Sequence, residues 1–285
     1  MCSLPRRSVL AAAWAACWPG GSRAVDGATP LRFGLTPVFL DNQVAFLNQW
    51  RAYLQIRVRR PVEFVQRGSY RDVVALLVQG QIDFAWLCGY PYVRNSRHLR
   101  LLAVPLYQGE PLYRSYLIVP SRDRTTKGLL DLRGKVFAYS DPDSNSGHLV
   151  TLHSLLKMRE SPSSFFARTF FTWGHRKVVD AVGVGLAQGG AVDGYVWDTL
   201  ALLHPELTAR TRVVQRSEPF GFPPFVARAG APEADVVALQ AVLLGMRADR
   251  EGQLLLKRLN LDGFVPGRVE WFDGVREMSR VVDAA

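Results

Sequence analysis

The sequence predicts an α/β protein with two lobes, and three observations support this fold class. Strand-like segments alternate with amphipathic helices along most of the chain, a pattern that favours mixed, mostly parallel sheets flanked by helices. A helix followed by Gly-x-(Ile/Val)-Asp and a strand occurs twice, at residues 80–83 and 190–193, which indicates two units of similar build. The length of 285 residues suits two domains of ordinary size.

The first elements follow in order. A strand over residues 31–35 ends at Thr36-Pro37, and a helix is expected over 41–54 because its apolar residues recur at helical spacing. A strand covers 62–65. The next helix begins at Ser69, a residue type that caps helices, and ends at Gly80. A strand over 82–87 and a loop over 88–92 complete this part.

The second unit begins after a strand at 116–119. A strand is predicted over 136–139, a loop over 140–146, a helix over 147–158, a strand over 170–172 and a helix over 175–188. Glycines at 189–194 are expected to form a turn that leads into a strand over 195–197. From about Phe225 a strand and two helices remain, too few for a third domain.

This last segment is therefore expected to return to the first lobe. The predicted division assigns residues 25–117 and 221–285 to lobe 1 and residues 118–220 to lobe 2. Two crossings between the lobes then form a hinge, with a cleft between the two halves.

Residues 1–24 have the features of a secretory signal peptide. Arg6 and Arg7 precede a small apolar segment over 8–18, and small residues flank Arg23. The apolar segment is shorter than the roughly 20 residues that span a bilayer. The adjacent arginines fit the twin-arginine export route only in part, and Cys17 lies in a poor lipoprotein box. We expect cleavage near Ala24 and a periplasmic protein without a lipid anchor at Cys17.

Composition excludes several classes of protein. An apolar fraction of 48 % with 21 % charged residues excludes a disordered chain. After the leader only Cys88 remains, so no internal disulfide is possible. The net charge of +10 comes without a lysine-rich tract, zinc-ligand spacing or RNA-binding motif, which argues against nucleic acid and favours small anions. Hydrolase motifs are absent from the sequence, so no enzyme activity, cofactor or metal is expected.

The segment 139–149 carries the most chemistry. A strand ends there, and Ser144, Asn145 and Ser146 precede a helix whose first turn has unpaired backbone N–H groups. These donors and hydroxyls suit a tetrahedral oxyanion, and Gly147 lets the backbone come close to it. Either the segment binds an anion or it is a plain helix cap.

Four segments in order resemble one family. Residues 144–147 are similar to the Ser-Thr-Ser-Gly motif of the phosphonate/phosphate/phosphite-binding proteins of bacterial ABC importers. Residues 83–93 resemble the family's strand and Gly-Pro-x-x-Tyr loop, 173–176 its Gly-(Ser)-His helix start, and 195–200 its Asp-Ser-Leu segment. The resemblance implies the type II periplasmic binding protein fold, ligand capture between the lobes and delivery to a membrane permease.

The resemblance also implies roles for single residues. Ser144, Asn145 and Ser146 would donate to the anion, and His175 would add a donor or a positive charge. Asp198, predicted at a strand end, would accept a proton from a P–OH group or an amine and so penalise sulfate. Each has a structural alternative, a solvent-facing histidine for His175 and an ordinary helix cap for Asp198.

Aromatic residues complete the expected site. Tyr92 in the first lobe would hydrogen-bond the anion when the lobes close. Tyr90 and Trp197 would line the walls, or else belong to the core, as aromatic residues in such segments often do.

This sequence also departs from the family pattern. Asn145 replaces the usual Thr, and Cys88-Gly89 replaces Gly-Pro, so phosphonate specificity does not carry over. A relative of the family binds arsenite through a cysteine, which makes arsenite a further candidate for Cys88.

The sequence therefore predicts an exported, monomeric solute-binding protein. It would capture phosphonate, phosphate or phosphite in the interlobe cleft for the permease of an ABC importer. The alternative is a sensing module that reports an oxyanion, arsenite included, to a membrane sensor kinase.

Overall fold

The structure is a computed structural model that describes residues 29–36 and 44–285. The predicted signal peptide lies outside the described residues, as does the start of the first predicted helix. The strands in these ranges are β1 (Leu31–Leu35), β2 (Val62–Gln66), β3 (Phe84–Trp86), β4 (Leu99–Leu106), β5 (Leu112–Tyr113), β6 (Ser115–Pro120), β7 (Val136–Tyr139), β8 (Arg168–Phe171), β9 (Gly189–Asp193), β10 (Thr211–Arg216), β11 (Phe220–Gly221), β12 (Phe225–Arg228) and β13 (Gly263–Pro266).

Helices connect most of these strands. The α-helices are α1 (Val44–Val58), α2 (Tyr70–Val78), α3 (Gly89–Arg94), α4 (Val150–Lys157), α5 (Pro162–Phe165), α6 (His175–Gly183), α7 (Gly194–Leu203), α8 (Pro205–Thr208), α9 (Glu233–Gly245), α10 (Arg250–Arg258) and α11 (Asp273–Asp283). A π-helical turn, Asn145–Leu149, leads directly into α4.

The strands form two sheets that define two lobes. Lobe 1 contains the six-stranded sheet, in the order β13-β4-β12-β3-β1-β2, and lobe 2 the five-stranded sheet, in the order β10-β6-β9-β7-β8. The short strands β5 and β11 pair with each other where the chain crosses between the lobes. Lobe 1 takes β12 and β13 from the end of the chain. In lobe 2, β6 begins at Ser115, two residues before the end of the predicted first segment of lobe 1.

Both sheets are mixed. Strand β1 runs parallel to β2 and β3, and β7 runs parallel to β8 and β9. Strands β6 and β12 follow a crossing between the lobes and pair in the antiparallel direction, as do β10 and β13. Because β7 and β9 are parallel neighbours, the chain segments that follow them leave the same edge of the sheet.

Packing of buried side chains stabilises the two sheets and the helices on them. In lobe 1 the buried ring of Trp50 from α1 lies 5.5 Å from the ring of Phe64 and 6.0 Å from that of Trp86. In lobe 2 one face of the sheet packs against α6 through Val178 and Val182, and the other carries a separate cluster. Burial of this apolar area stabilises both lobes. The core of lobe 1 also includes Leu149 and Tyr195, which come from the lobe 2 segment.

The segment after Gln188 differs from the prediction. The glycines there form the central strand β9, and residues 195–197, predicted as a strand, form the first turn of α7. Glycine suits β9 because a Cβ atom at Gly190 would lie 2.6 Å from Cγ1 of Val178 in α6. Asp193 then caps α7, since its Oδ1 accepts hydrogen bonds from the N–H groups of Tyr195 and Val196.

Other predicted boundaries shift less. Residues 89–92, predicted as part of a loop over 88–92, belong to the short helix α3, which continues to Arg94. The predicted helix 147–158 begins earlier, with the π-helical turn at Asn145, and the predicted helix 175–188 ends at Gly183. The two copies of the Gly-x-(Ile/Val)-Asp pattern are not equivalent, because Asp83 precedes β3 whereas Asp193 ends β9. The final segment contains two strands and three α-helices rather than one strand and two helices.

Candidate functional site

Ser144, Asn145 and Ser146 lie beyond the carboxyl end of β7, at the contact between the two lobes. None of the three is exposed to solvent. Ser144 Oγ accepts a hydrogen bond from the N–H of Gly147 at 3.0 Å, so Ser144 caps the π-helical turn. A cap therefore accounts for Ser144 but leaves the side chains of Asn145 and Ser146 unexplained.

Three buried oxygens in this loop have no hydrogen-bond partner. They are Ser140 Oγ, Asn145 Oδ1 and Ser146 Oγ. A buried polar group without a partner costs about 1–3 kcal/mol of stability, and such groups are few in folded proteins. Three of them in one loop between two lobes make this loop a candidate site for a polar ligand.

Lobe 1 supplies the opposite wall through Cys88 and Tyr113. The Sγ atom of Cys88 accepts a hydrogen bond from the main-chain N–H of Asn145 at 3.2 Å, and Tyr113 Oη accepts one from Asn145 Nδ2 at 3.0 Å. Burial raises the pKa of the Cys88 thiol to about 11, so the thiol is neutral near pH 7. A neutral sulfur is a weak acceptor, and a charged oxygen would take the N–H of Asn145 from it.

His175 is a neutral donor in this arrangement. Its Nδ1 accepts a hydrogen bond from the N–H of Asp193 at 3.0 Å, so the ring proton is on Nε2, which lies 3.3 Å from Tyr70 Oη. Complete burial lowers the pKa of His175 to about 3. Of the two expected roles, donor or positive charge, the geometry supports only the donor, and it acts through Tyr70, whose hydroxyl proton is left free to donate.

Two buried carboxyl groups flank the loop. Burial raises the pKa of Asp193 to about 8, although two backbone N–H groups oppose the shift, and burial also raises the pKa of Asp141. Asp141 Oδ2 accepts a hydrogen bond from the N–H of Tyr70, the first residue of α2, at 3.1 Å. None of the hydrogen-bond partners named for this site is a lysine or an arginine, so neutral dipoles dominate it.

Asp198 makes its hydrogen bonds elsewhere. It lies in α7 and not at a strand end, and its Oδ2 accepts hydrogen bonds from the hydroxyls of Tyr107 and Tyr116, each at 2.9 Å. Tyr107 follows β4 of lobe 1, whereas Tyr116 belongs to β6 of lobe 2. Asp198 therefore links the two lobes at a second point, beside the crossings.

The structure does not bring Tyr92 to the loop of Ser144–Ser146. The ring of Tyr92 packs edge-on against Phe272 at 4.9 Å. Burial raises the pKa of Tyr92, and the charges nearest to it are those of Arg276 and Glu270. From lobe 1, Tyr70 lies beside the loop instead, since its N–H donates to Asp141 and its hydroxyl lies next to His175. The sequence alone predicts no role for Tyr70.

Tyr90 and Trp197 also take core positions rather than site positions. The guanidinium of Arg94 lies 5.5 Å from the centre of the Tyr90 ring. Trp197 packs with the α6 side of lobe 2, and its Nε1 donates to Thr211 Oγ1 at 3.1 Å. Their expected roles as walls of the ligand site have no geometric support.

Sequence patterns missed several residues of the site. Tyr70 follows the predicted cap Ser69, so the sequence predicts its position at a helix start. The sequence does not predict its contact with His175. Asp193 falls in a predicted turn, Ser140 falls in the predicted loop over 140–146 but has no role there, and nothing in the sequence marks Tyr113. These residues meet only because strands and helices far apart in the chain converge at one edge.

Two kinds of feature are absent from the described ranges. Residues 29–36 and 44–285 contain no group of three or more His, Cys, Asp or Glu residues that could hold a metal ion. In the same ranges, no helix combines the length and the apolar character that crossing a membrane requires.

Comparison with known proteins places this geometry in a family. Residues 33–272 match the sequence profile of a family described as "ABC transporter, phosphonate, periplasmic substrate-binding protein". The chain belongs to this family. The predicted resemblance is thereby confirmed, and so is the prediction that the chain is not an enzyme, because the family consists of substrate-binding proteins of transporters.

A curated relative matches part of the chain. The phosphate-import protein PhnD of Mycolicibacterium smegmatis is 29 % identical over 150 residues, which are 49 % of this chain and 46 % of that protein. The match therefore spans about half the length of this relative.

Solved structures confirm the predicted two-lobed α/β fold. PhnD1 from Prochlorococcus marinus, in complex with methylphosphonate, has a TM-score of 0.79 at 18 % identity, over 90 % of this chain and 98 % of that chain. A binding protein component of an ABC phosphonate transporter from Pseudomonas aeruginosa has a TM-score of 0.82 at 18 % identity, over 90 % and 87 % of the two chains.

Proposed function

We propose that this protein captures a tetrahedral oxyanion (phosphonate, phosphate or phosphite) between its lobes in the periplasm and delivers it to the permease of an ABC importer. The observation that carries the proposal is the set of buried oxygens without partners in the loop of Ser144–Ser146. A guest with several oxygens, one of them protonated, satisfies both donors and acceptors of this kind.

The contacts suggest how the anion would be held. The hydroxyls of Ser146 and Tyr70 would donate to its oxygens, and the main-chain N–H of Asn145 would exchange the sulfur of Cys88 for a charged oxygen. Asn145 Oδ1 is an acceptor without a donor, so it suits a P–OH proton of the ligand. Sulfate has no such proton near pH 7 and would leave that acceptor unpaired. This role was expected for Asp198, whose accepting oxygen is already bonded to two tyrosines.

Calorimetric titration tests the proposal. The mature protein should bind at least one of methylphosphonate, phosphate and phosphite and should bind sulfate more weakly. Ser146→Ala should weaken binding about tenfold or more, because hydrogen bonds to charged groups contribute about 1.5–3 kcal/mol. Ser96→Ala, in an exposed turn of lobe 1, is the matched control. If none of the three anions binds, the proposed function is wrong.

A second test uses the link through Asp198. The hydrogen bond from Tyr107 joins lobe 1 to lobe 2, so it exists only when the lobes are closed, whereas the bond from Tyr116 lies within lobe 2. Tyr107→Phe should therefore weaken ligand binding about fivefold, the effect of a hydrogen bond of about 1 kcal/mol. Tyr116→Phe removes the same kind of bond from open and closed forms alike, and titration should show an unchanged Kd. Equal effects of the two variants would contradict closure around the ligand.

The sensor alternative would use the same closed form and differ in the partner that recognises it. Loss of phosphonate uptake on deletion of the gene supports the importer, whereas unchanged uptake with loss of a ligand-dependent transcriptional response supports the sensor. Arsenite belongs in the titration as well, although the neutral thiol of Cys88, with no second cysteine among the described residues, is a poor site for it.

A further inference from the structure

A polar groove lies next to the proposed ligand site, and we call it the outer groove. It has a volume of about 340 Å³ and is lined by Arg71, Val74, Pro91, Arg94, Asn95 and Asp143. Helices α2 and α3 form its walls, and both begin at the ligand site, α2 with Tyr70 and α3 after Cys88. The groove therefore continues outward from the site along lobe 1.

Ion pairs across the lobes close this groove. Arg71 Nε lies 3.4 Å from Asp143 Oδ2, and Arg94 Nη1 lies 4.0 Å from Asp143 Oδ1. Both arginines belong to lobe 1. Asp143 belongs to lobe 2 and immediately precedes Ser144. A single carboxylate thus faces two guanidinium groups, and it does so only while the lobes are together.

The charges of the groove and of the inner site differ. The two arginine side chains are 74 % and 47 % exposed, whereas that of Asp143 is 14 % exposed. The hydrogen-bond partners at the inner site include no lysine or arginine, so that site cannot attract an anion over a distance. When the lobes part, Asp143 leaves with lobe 2, and two unpaired guanidinium groups border the path to the inner site.

We propose that Arg71 and Arg94 form an outer site that receives the oxyanion when the lobes are apart, and that Asp143 takes its place there when the lobes close. This inference rests on the proposed function. Guanidinium groups bind phosphate-like oxygens through paired N–H donors, so the class of ligand is the same tetrahedral oxyanion. The arginines set the association rate by electrostatic attraction, and the neutral inner site sets selectivity.

Stopped-flow measurement of tryptophan fluorescence with methylphosphonate, at low and high salt, tests this division. The double variant Arg71→Gln/Arg94→Gln should lower kon about tenfold at low salt and reduce its salt dependence. Asp143→Asn removes the same ion pairs from the closed form but leaves both guanidinium groups, so kon should stay unchanged or rise while koff rises a few-fold, as expected for exposed ion pairs.

A control separates local from overall charge. Arg247→Gln/Arg250→Gln removes the same charge from two exposed side chains, of which Arg247 lies next to β13 at the sheet edge opposite to β2, and should leave kon nearly unchanged. The outer site would be overturned if Arg71→Gln/Arg94→Gln had the same kon as the natural chain. It would also be overturned if the control pair lowered kon as much as Arg71→Gln/Arg94→Gln does. The proposed function would stand in both cases. If the natural chain binds no oxyanion in titration, the proposed function fails and the outer site fails with it.

Discussion

Replacing Gly147 with alanine is expected to destabilise the protein by about 3 kcal/mol, because the loop has no space for a methyl group. A Cβ atom at Gly147 would lie 1.9 Å from Ser140 Oγ, 2.8 Å from Ser140 Cβ and 3.0 Å from His175 Cε1. Rotation of the Ser140 side chain relieves only the first of these contacts. The backbone of the π-helical turn must therefore move, which would also displace Asn145 and Ser146.

Unfolding in urea measures this effect as a lower midpoint. Gly68→Ala is the matched control, since a Cβ atom at exposed Gly68 meets nothing within 4 Å. The double variant Gly147→Ala/Ser140→Gly should recover part of the loss, because the two substitutions act on one contact. A midpoint for Gly147→Ala equal to that of the natural chain would show that the loop is not packed as described.

The pH dependence of stability gives the second large effect, and it centres on Asp193. The folded protein holds the Asp193 proton up to a pKa of about 8, whereas the unfolded chain releases it near the ordinary value of 3.8. Between these values the native state binds one more proton, so stability falls as pH rises. His175 acts in the opposite direction below pH 6.5, because its pKa is lowered to about 3 in the folded state.

The effects of Asp193 and His175 on stability oppose each other up to about pH 6.5. At higher pH the destabilising effect of Asp193 dominates. We expect the natural chain to lose about 1 kcal/mol of stability between pH 6.5 and 8, because Asp193 is half ionised in the native state at pH 8 and His175 still opposes the change just above pH 6.5. Asp193→Asn mimics the protonated carboxyl group and can still cap α7. The variant should already be the more stable of the two at pH 6.5, because the unfolded natural chain has released its proton there, and urea unfolding should show the difference widening by about 1.5 kcal/mol up to pH 8. Parallel stability curves for both proteins would show that Asp193 is already ionised in the native state.

Local sequence signals predicted most of the helices and strands. Ser69 and Gly80 bound α2 because a cap and a glycine with φ of +70° are local requirements. The failure at residues 195–197 is also local, since Tyr-Val-Trp has the side chains of a strand. Tertiary packing decided otherwise, because a glycine-rich strand fits under α6 and Asp193 then starts a helix.

The site was only partly predictable for a different reason. Ser144–Ser146 and His175 could be singled out as candidates because each follows a strand and begins a helix. The sequence could not show whether Tyr70 or Tyr92 lies beside the loop of Ser144–Ser146. Both tyrosines lie in helices of lobe 1, and both are buried. Only the packing of α3 against Phe272 turns Tyr92 away, and that contact joins residues far apart in the chain.

The position of Cys88 has a practical consequence. It is the one free cysteine of the described residues, and its sulfur is buried where the lobes meet. A maleimide or another thiol reagent can reach it only while the halves of the molecule stand apart. The labelling rate of the unmodified protein therefore reports how often it opens, and any solute that holds it shut will protect the sulfur.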